Sequence, residues 1–148
     1  MPGSQTLVID AGVALHAVLN TDLSAAAERA WTEFDRVGAH VFAPRLFVYE
    51  VTSVIQRYRF DGILSADESE EAIETASGFG VELVDDDLER CSAAMVWASR
   101  LRQKAAYDAF YVALAEHLRV DLWTADRRLA NGLEAADGPR ARWIGDFT

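Results

Sequence analysis

Short apolar runs alternate along the chain with longer stretches in which apolar residues recur every three or four positions. The runs predict strands over residues 5–9, 40–43, 81–84, 121–124 and 141–144. The first run ends in Leu7-Val8-Ile9, a pattern typical of a parallel strand that is buried on both faces. The helical spacing predicts helices over residues 13–19, 24–36, 44–60, 65–77, 88–102, 106–118 and 126–134.

Polar residues and glycines mark several ends of these predicted helices. Ser24 is a candidate N-cap, Pro44 suits a first helical turn, and Ser65 with Glu68 has the spacing of a capping box. Gly38 is placed where a helix stops. Strands that alternate with helices, with no tight hairpin between them, predict an α/β fold. We expect one domain over residues 1–148, a three-layer α/β/α sandwich with a mostly parallel central sheet.

Composition and charge narrow the function classes. The longest apolar run, Ala93–Ala98, is too short to cross a bilayer, and the first residues lack the basic and apolar stretches of a signal peptide. We therefore expect a cytoplasmic protein with no membrane segment. The net charge of −10 argues against passive coating of nucleic acid, because the chain repels phosphate. It leaves open an enzyme that holds phosphate through metal ions.

Two carboxylates follow predicted strands, where α/β sheets collect ligands. Asp10 comes directly after the first strand, and Asp126 comes after Trp123-Thr124 at the end of the fourth. Either residue could instead serve only as the N-cap of the helix that follows it. The two interpretations remain open for both residues.

Two further carboxylates lie on predicted helices. Glu50 is on the flank of an apolar helical stripe and could be a plain surface residue. Asp108 shares an apolar helix face with Tyr111, where ionised groups are seldom found unless they are paired or bound to metal. The alternatives for Asp108 are that it caps its helix or pairs with Arg100 or Arg102.

The four acids can converge at one end of the predicted sheet. Two unit charges about 4 Å apart repel by about 4 kcal/mol at an effective dielectric constant near 20, so such a cluster must raise its pKa values or recruit a cation. Sites made only of carboxylate oxygens select Mg²⁺ or Mn²⁺. The pattern therefore predicts a metal site of Asp10, Glu50, Asp108 and Asp126.

Four stretches of the chain carry a resemblance to a known family: Leu7–Val13, Pro44–Val54, Tyr107–Ala115 and Trp123–Leu129. In their order and separation they resemble the PIN-domain ribonucleases, and specifically the VapC-type toxins of toxin–antitoxin pairs. The resemblance implies that the four acids bind one or two divalent cations and that RNA is hydrolysed to a 5′-phosphate and a 3′-hydroxyl. It also implies that Thr124 holds the attacking water or an acidic partner, that the protein is a homodimer, and that it has a cognate antitoxin.

The chain departs from the family pattern at Gly12, where family members usually carry Ser, Thr or Asn. The missing donor leaves a second interpretation open, a catalytically weak or inactive PIN-like module that binds RNA or protein. A DNA nuclease is a further interpretation, because the same metal-site chemistry would hydrolyse DNA. A receiver-like phosphoacceptor is disfavoured because Ala11, not a second acid, follows Asp10. Beside the site, Arg127 and Arg128 are candidates for phosphate contacts or for balancing the acidic charge.

Other features are interpreted as structural. Asp85-Asp86-Asp87 could be a second metal cluster, but negative charge also suits the start of the helix that follows. The tryptophans lie in no basic setting and are interpreted as core and interface anchors. They are Trp31, Trp97, Trp123 and Trp143. The single Cys91 excludes an internal disulfide, and no His or Cys spacing suggests zinc.

Overall fold

The computed structural model describes residues 5–147 and shows one five-stranded parallel sheet. The strands are β1 (Thr6–Ile9), β2 (His40–Pro44), β3 (Glu82–Val84), β4 (Asp121–Thr124) and β5 (Ala141–Trp143). Their order in the sheet is β3-β2-β1-β4-β5, and every neighbouring pair is parallel. The predicted α/β fold is confirmed.

Seven helices and one 3-10 turn cover the sheet over the described part of the chain. The helices are α1 (Ala11–Val18), α2 (Ser24–Arg36), α3 (Leu46–Phe60), α4 (Ala66–Ser77), α5 (Leu88–Arg100), α6 (Tyr107–Leu118) and α7 (Arg127–Ala135). The turn spans Ile144–Asp146. Helices α1 to α4 pack against one another, whereas α5 packs on α6, which lies on β1, β2 and β4. The result is a three-layer α/β/α sandwich.

Several predicted helix ends are confirmed by their hydrogen bonds. Ser65 and Glu68 form the predicted capping box of α4, and Gly38, with φ of +63°, follows α2. Asp87 caps α5 by accepting a 2.8 Å hydrogen bond from the backbone N–H of Arg90. The acidic run before α5 therefore begins a helix.

The predicted N-cap of α2 is wrong, and the predicted starts of α1 and α3 each miss the observed start by two residues. Ser24 is the first residue of α2, and its hydroxyl donates to the carbonyl of Leu19 at 2.6 Å. Pro44 belongs to β2, because the ladder with β3 continues through its pairing with Val84. The backbone N–H of Arg45 also donates to the Val84 carbonyl, at 3.1 Å, so α3 starts only after Arg45.

The core lies on both faces of β1 and β4. Leu7, Val8 and Ile9 have no exposed surface, as the apolar run of the first strand predicts. Trp31, Trp97 and Trp123 are buried and act as core anchors, whereas Trp143 is half-buried. Among residues 5–147, no helix has the length and apolarity needed to span a bilayer. Part of the segment on which the signal-peptide expectation rests, residues 1–4, lies outside the described residues.

The strand order places a crevice at the carboxyl ends of β1 and β4. From β1 the chain crosses to β2 on one side, while β4 lies on the other side. This reversal is the topological switch point at which open α/β sheets bind ligands. Asp10 follows β1, and Asp126 follows β4 after one intervening residue. The fold therefore brings these two acids to the same crevice.

Candidate functional site

Asp10 is a buried carboxylate that is tied to both sides of the crevice. Its Oδ1 accepts from the backbone N–H of Val13 at 3.2 Å and from that of Ala125 at 3.4 Å. Its Oδ2 accepts a hydrogen bond from the Thr124 hydroxyl. Asp10 is thus the N-cap of α1, as one interpretation of the sequence held, and it also joins β1 to the loop after β4.

Burial dominates the electrostatics of Asp10. Only 8% of the residue is exposed, and loss of hydration raises the pKa of its carboxyl from 3.8 to about 7, although the hydrogen bonds from Thr124, Ala125 and Val13 lower it in part. The negative charge of Asp108 adds to the increase. A cation in the crevice would therefore stabilise the ionised form of Asp10.

Thr124 links the two acids of the crevice. Its hydroxyl donates to Asp10 and accepts a 2.9 Å hydrogen bond from the backbone N–H of Asp126. Asp126 is exposed and caps α7, where its Oδ1 accepts from the backbone N–H groups of Arg128 at 2.9 Å and Leu129 at 3.2 Å. Both bonds go to one oxygen, so Oδ2 of Asp126 is available to a ligand.

Glu50 is held in place by a tyrosine of the opposite helix. The hydroxyl of Tyr111 donates to Oε1 of Glu50 at 2.6 Å and joins α6 to α3. Burial raises the pKa of Glu50, the hydrogen bond from Tyr111 lowers it, and the charge of Asp108 raises it. Burial and the nearby carboxylates raise the pKa of Tyr111 far above its ordinary value. The phenol therefore remains a neutral donor among the acids.

Tyr111 is the site residue that the sequence analysis treated only as an apolar neighbour of Asp108. The available signal was its position, three residues after Asp108 on the same helix face. A buried tyrosine hydroxyl needs a hydrogen-bond partner, and a carboxylate nearby supplies one. The identity of that partner depends on how α3 and α6 pack, which the spacing on α6 does not reveal.

Asp108 is the centre of the cluster. It lies in the first turn of α6 but is not its cap, which is Ala106. Within residues 5–147 it forms no ion pair with Arg100 or Arg102, so both structural alternatives for Asp108 are wrong. Burial and the charge of Asp126 raise its pKa.

The four predicted acids interact with one another through Asp108. The charge of Asp108 raises the pKa values of Asp10 and Glu50, and the charge of Asp126 raises that of Asp108. Like charges that interact in this way share a small region. The structure thus places acids from α3, α6 and the loops after β1 and β4 within electrostatic range of one another through Asp108.

The chemistry of these side chains suits a hard divalent cation. Their donors are carboxylate oxygens, which Mg²⁺ and Mn²⁺ prefer, and three of the four pKa values are raised by burial and like charge. As the side chains stand, no three Asp, Glu, His or Cys residues within residues 5–147 form a coordination group. Asp10, Glu50 and Asp126 instead accept hydrogen bonds from the protein.

The two arginines beside the site differ in their surroundings. The guanidinium of Arg127 lies over the Trp143 ring, 5.0 Å from its centroid. Arg128 lines a cavity of about 320 Å³ together with Asp126 and Arg102. Neither Arg102 nor Arg128 forms an ion pair with another described residue. From the sequence, Arg102 was a candidate only as an ion-pair partner for Asp108.

Gly12 is required by close packing at the start of α1. A Cβ at this position would lie 2.6 Å from the Cβ of Ala125 and 3.3 Å from Oδ1 of Asp10. Ala125 follows β4, so α1 and this loop approach more closely than a side chain at position 12 allows. The chain therefore cannot gain the family's hydroxyl or amide here unless Ala125 moves.

The class of protein follows from its fold and its site together. The fold is a parallel α/β/α sandwich, and its carboxylates cluster at the switch point of the sheet. The family model of the PIN domain matches residues 7–132, and the chain belongs to the PIN-domain family. No curated protein matches the chain by sequence.

Several solved structures share the fold. VapC20 of Mycobacterium tuberculosis, described as a Sarcin-Ricin loop cleaving toxin, has a TM-score of 0.65 at 14% identity, with 85% of this chain and 95% of that chain covered. DNA-bound VapBC of Salmonella typhimurium has a TM-score of 0.65 at 14% identity and covers 95% and 98%. PAE2754 of Pyrobaculum aerophilum has a TM-score of 0.62 at 19% identity and covers 95% and 88%.

Proposed function

We propose that this protein is a metal-dependent endoribonuclease and the toxin of a VapBC-type toxin–antitoxin pair. The observation that carries the proposal is that Asp108 influences Asp10 and Glu50 through its charge, and Asp126 influences Asp108, in a PIN-family chain. Mg²⁺ or Mn²⁺ held by Asp10, Glu50, Asp108 and Asp126 would polarise water and the phosphodiester for hydrolysis.

The chain's own residues position the reacting groups. Thr124 holds Asp10 and the backbone at Asp126 in fixed relation, and Tyr111 holds one oxygen of Glu50. Hydrogen bonds of this kind orient carboxylates that bind metal. Arg128 stands beside Asp126, where a guanidinium can bind a phosphate of the RNA backbone.

The structural relatives support the substrate class and the partners. VapC20 is described as a toxin that cleaves the Sarcin-Ricin loop, which favours RNA over DNA as the substrate here. VapBC of Salmonella typhimurium, whose fold this chain shares, was solved bound to DNA. From the likeness to this toxin–antitoxin structure we infer that this chain pairs with an antitoxin. A homodimer in the cytoplasm completes the proposal.

The decisive experiment incubates the purified protein with total RNA in Mg²⁺ or Mn²⁺ and maps the new ends. We expect metal-dependent cuts that leave a 5′-phosphate and a 3′-hydroxyl, with none in EDTA. DNA of matched sequence in the same tube tests the rival substrate. Intact RNA at every metal concentration would contradict the proposal.

The packing at Gly12 favours one second candidate, a PIN-like module that binds RNA or protein without cutting. The close approach of Ala125 keeps a hydrogen-bond donor out of the site. Such a module would bind RNA equally well in EDTA and in Mn²⁺ but would leave it uncut in both.

Tyr111→Phe is expected to lower kcat about tenfold, because the hydrogen bond that orients Glu50 is lost. The Mn²⁺ concentration that gives half-maximal activity should rise, whereas KM for RNA should change little. Tyr58→Phe, on α3, is the matched control. An unchanged metal requirement in a folded Tyr111→Phe protein would show that the hydrogen bond does not position Glu50.

Arg128→Gln is expected to weaken RNA binding in EDTA, because it removes a guanidinium that lines the cavity beside Asp126. The slope of log K against log salt should fall by about 1 for one lost phosphate contact. Arg36→Gln is the control, since Arg36 pairs with Glu33 on α2. If both variants bind RNA with the same salt slope as the unaltered protein, Arg128 makes no phosphate contact.

A further inference from the structure

An open cavity of about 550 Å³ is lined by residues from the starts of α3 and α6 and from the segment after β3. Tyr49 from α3 and Tyr107 and Phe110 from α6 form its aromatic walls. Tyr49 and Tyr107 directly precede Glu50 and Asp108 in the sequence. The cavity therefore shares the N-terminal parts of α3 and α6 with two of the four acids.

The two tyrosines are unusually exposed for large aromatic residues. Each has 62% of its surface accessible, whereas Trp31, Trp97 and Trp123 are buried in the core. Exposed aromatic rings in a groove are the platforms on which unpaired nucleobases stack. Tyr49 and Tyr107 are thus exposed aromatic residues of a groove and are suited to stacking.

Asp86 also lines the cavity, and 20% of its side chain is exposed. Its Oδ1 is buried and lies 3.9 Å from Nη1 of Arg90, so the rest of the carboxylate is the part that a ligand can reach. Asp85, at the same edge, is paired with Arg45 at 2.5 Å. A carboxylate at the wall of a cavity favours a ligand that brings an N–H donor.

The charge of this cavity distinguishes between the parts of an RNA chain. Asp85 and Asp86 repel a phosphate, while Arg45 is already paired with Asp85. A nucleobase carries no charge, has flat faces for the tyrosines, and can donate from an exocyclic amino group to a carboxylate. The surface therefore suits a base better than the backbone that joins it.

We propose that this cavity binds a nucleobase of the RNA substrate next to the scissile phosphate, with Tyr49 and Tyr107 stacking on it and Asp86 accepting from its exocyclic amino group. The inference rests on the proposed function, which it deepens by naming a base subsite. The substrate is then single-stranded RNA with adenine, cytosine or guanine at this position. Uracil is disfavoured because it has no exocyclic amino group.

The test measures binding of a short single-stranded oligoadenylate that carries one 2-aminopurine, in EDTA. Stacking quenches the fluorescence of this base analogue, so the unaltered protein should quench it on binding. Tyr49→Leu and Tyr107→Leu should each weaken binding about tenfold, and the corresponding Phe variants should bind more tightly than the Leu variants. Phe60→Leu removes an even more exposed aromatic ring, at the other end of α3, and is the matched control.

A second arm compares cleavage of oligoadenylate and oligouridylate in Mn²⁺. The unaltered protein should prefer oligoadenylate, and Asp86→Asn should reduce that preference. Leu variants that bind and cleave like the unaltered protein would overturn the subsite. So would Leu variants that change the sedimentation coefficient, since the tyrosines would then lie between two copies of the chain.

The same experiment separates this inference from the proposed function. Quenching without cleavage in Mn²⁺ would leave the base subsite standing and contradict the nuclease. Cleavage in Mn²⁺ that is unchanged by Tyr49→Leu and by Tyr107→Leu would contradict the base subsite and leave the nuclease standing. A protein that neither quenches the probe nor cuts it would overturn both.

Discussion

Asp108→Asn is expected to abolish metal-dependent cleavage of RNA, with a loss in kcat of at least about 100-fold, while the protein remains folded. Substitution of a residue that merely orients a metal ligand costs about 10–100-fold, and Asp108 is proposed as a ligand itself. It is also the carboxylate whose charge acts on both Asp10 and Glu50. Single-turnover cleavage of a mapped RNA substrate measures the effect.

The stability of the same variant is the second half of this prediction. Burial and the charge of Asp126 raise the pKa of Asp108, so its ionised form opposes folding at neutral pH in the absence of metal. Asparagine has nearly the same shape and no charge. The thermal unfolding midpoint in EDTA at pH 7.5 should therefore stay the same or rise.

Glu70→Gln is the matched control for Asp108→Asn. Glu70 is an exposed acid on α4, and its neutralisation should change neither kcat nor the unfolding midpoint. A folded Asp108→Asn protein that cleaves at the normal rate would remove the central ligand from the proposed site. A large fall in its unfolding midpoint would mean that Asp108 stabilises the fold.

Asp10 is expected to make the metal-free protein less stable as the pH rises from about 4 to about 7. The pKa of Asp10 is 3.8 in an ordinary setting and about 7 in the folded protein, so the folded state binds a proton more tightly than the unfolded chain does. The stabilisation from this proton is complete below about pH 4 and is lost as the pH passes 7. The loss amounts to at most about 4 kcal/mol.

Denaturant unfolding of the protein and of Asp10→Asn, in EDTA at several pH values, measures this contribution. Asparagine keeps the N-cap function of position 10 but does not titrate. The free energy of unfolding of the unaltered protein should fall relative to the variant between pH 4 and 7. A constant difference between the two proteins over this range would show that Asp10 is not the titrating group.

Divalent metal should offset the loss of stability at high pH in the unaltered protein more than in Asp10→Asn. Mg²⁺ or Mn²⁺ stabilises ionised carboxylates, so added metal should raise the unfolding midpoint at pH 8 and much less at pH 5. Asp10→Asn should show a smaller rise at pH 8. Equal rises in the two proteins would place the binding site away from Asp10.

The helices, the strands and the fold class were predictable from local sequence patterns, and the structure contains the interactions that those patterns predict. The apolar run of β1, the capping box of α4 and the acidic start of α5 each depend on neighbours within a few residues. Local interactions of that range can be read from spacing alone. The misplaced start of α3 shows the limit, because Pro44 belongs to β2 through its pairing with Val84, 40 residues away.

The candidate acids were predictable, but their alternatives were not resolved by spacing. Asp10 and Asp126 are indeed helix caps, and each nevertheless lies at the switch point of the sheet. A carboxylate that caps a helix with one oxygen can contact another group with its second oxygen, and a local pattern does not identify that group. The order of the strands, set by packing over the whole domain, determined which residues lie near the second oxygen.

The sequence alone determined which residue types are available and near which element ends they lie. It placed Asp10 after a buried strand and Asp108 on an apolar helix face, because burial patterns repeat with the period of each element. Only the tertiary structure decided that Tyr111 donates to Glu50 across 61 residues and that Ala125 requires glycine at position 12. Those contacts join separate elements, and their distances follow from how the helices pack on the sheet.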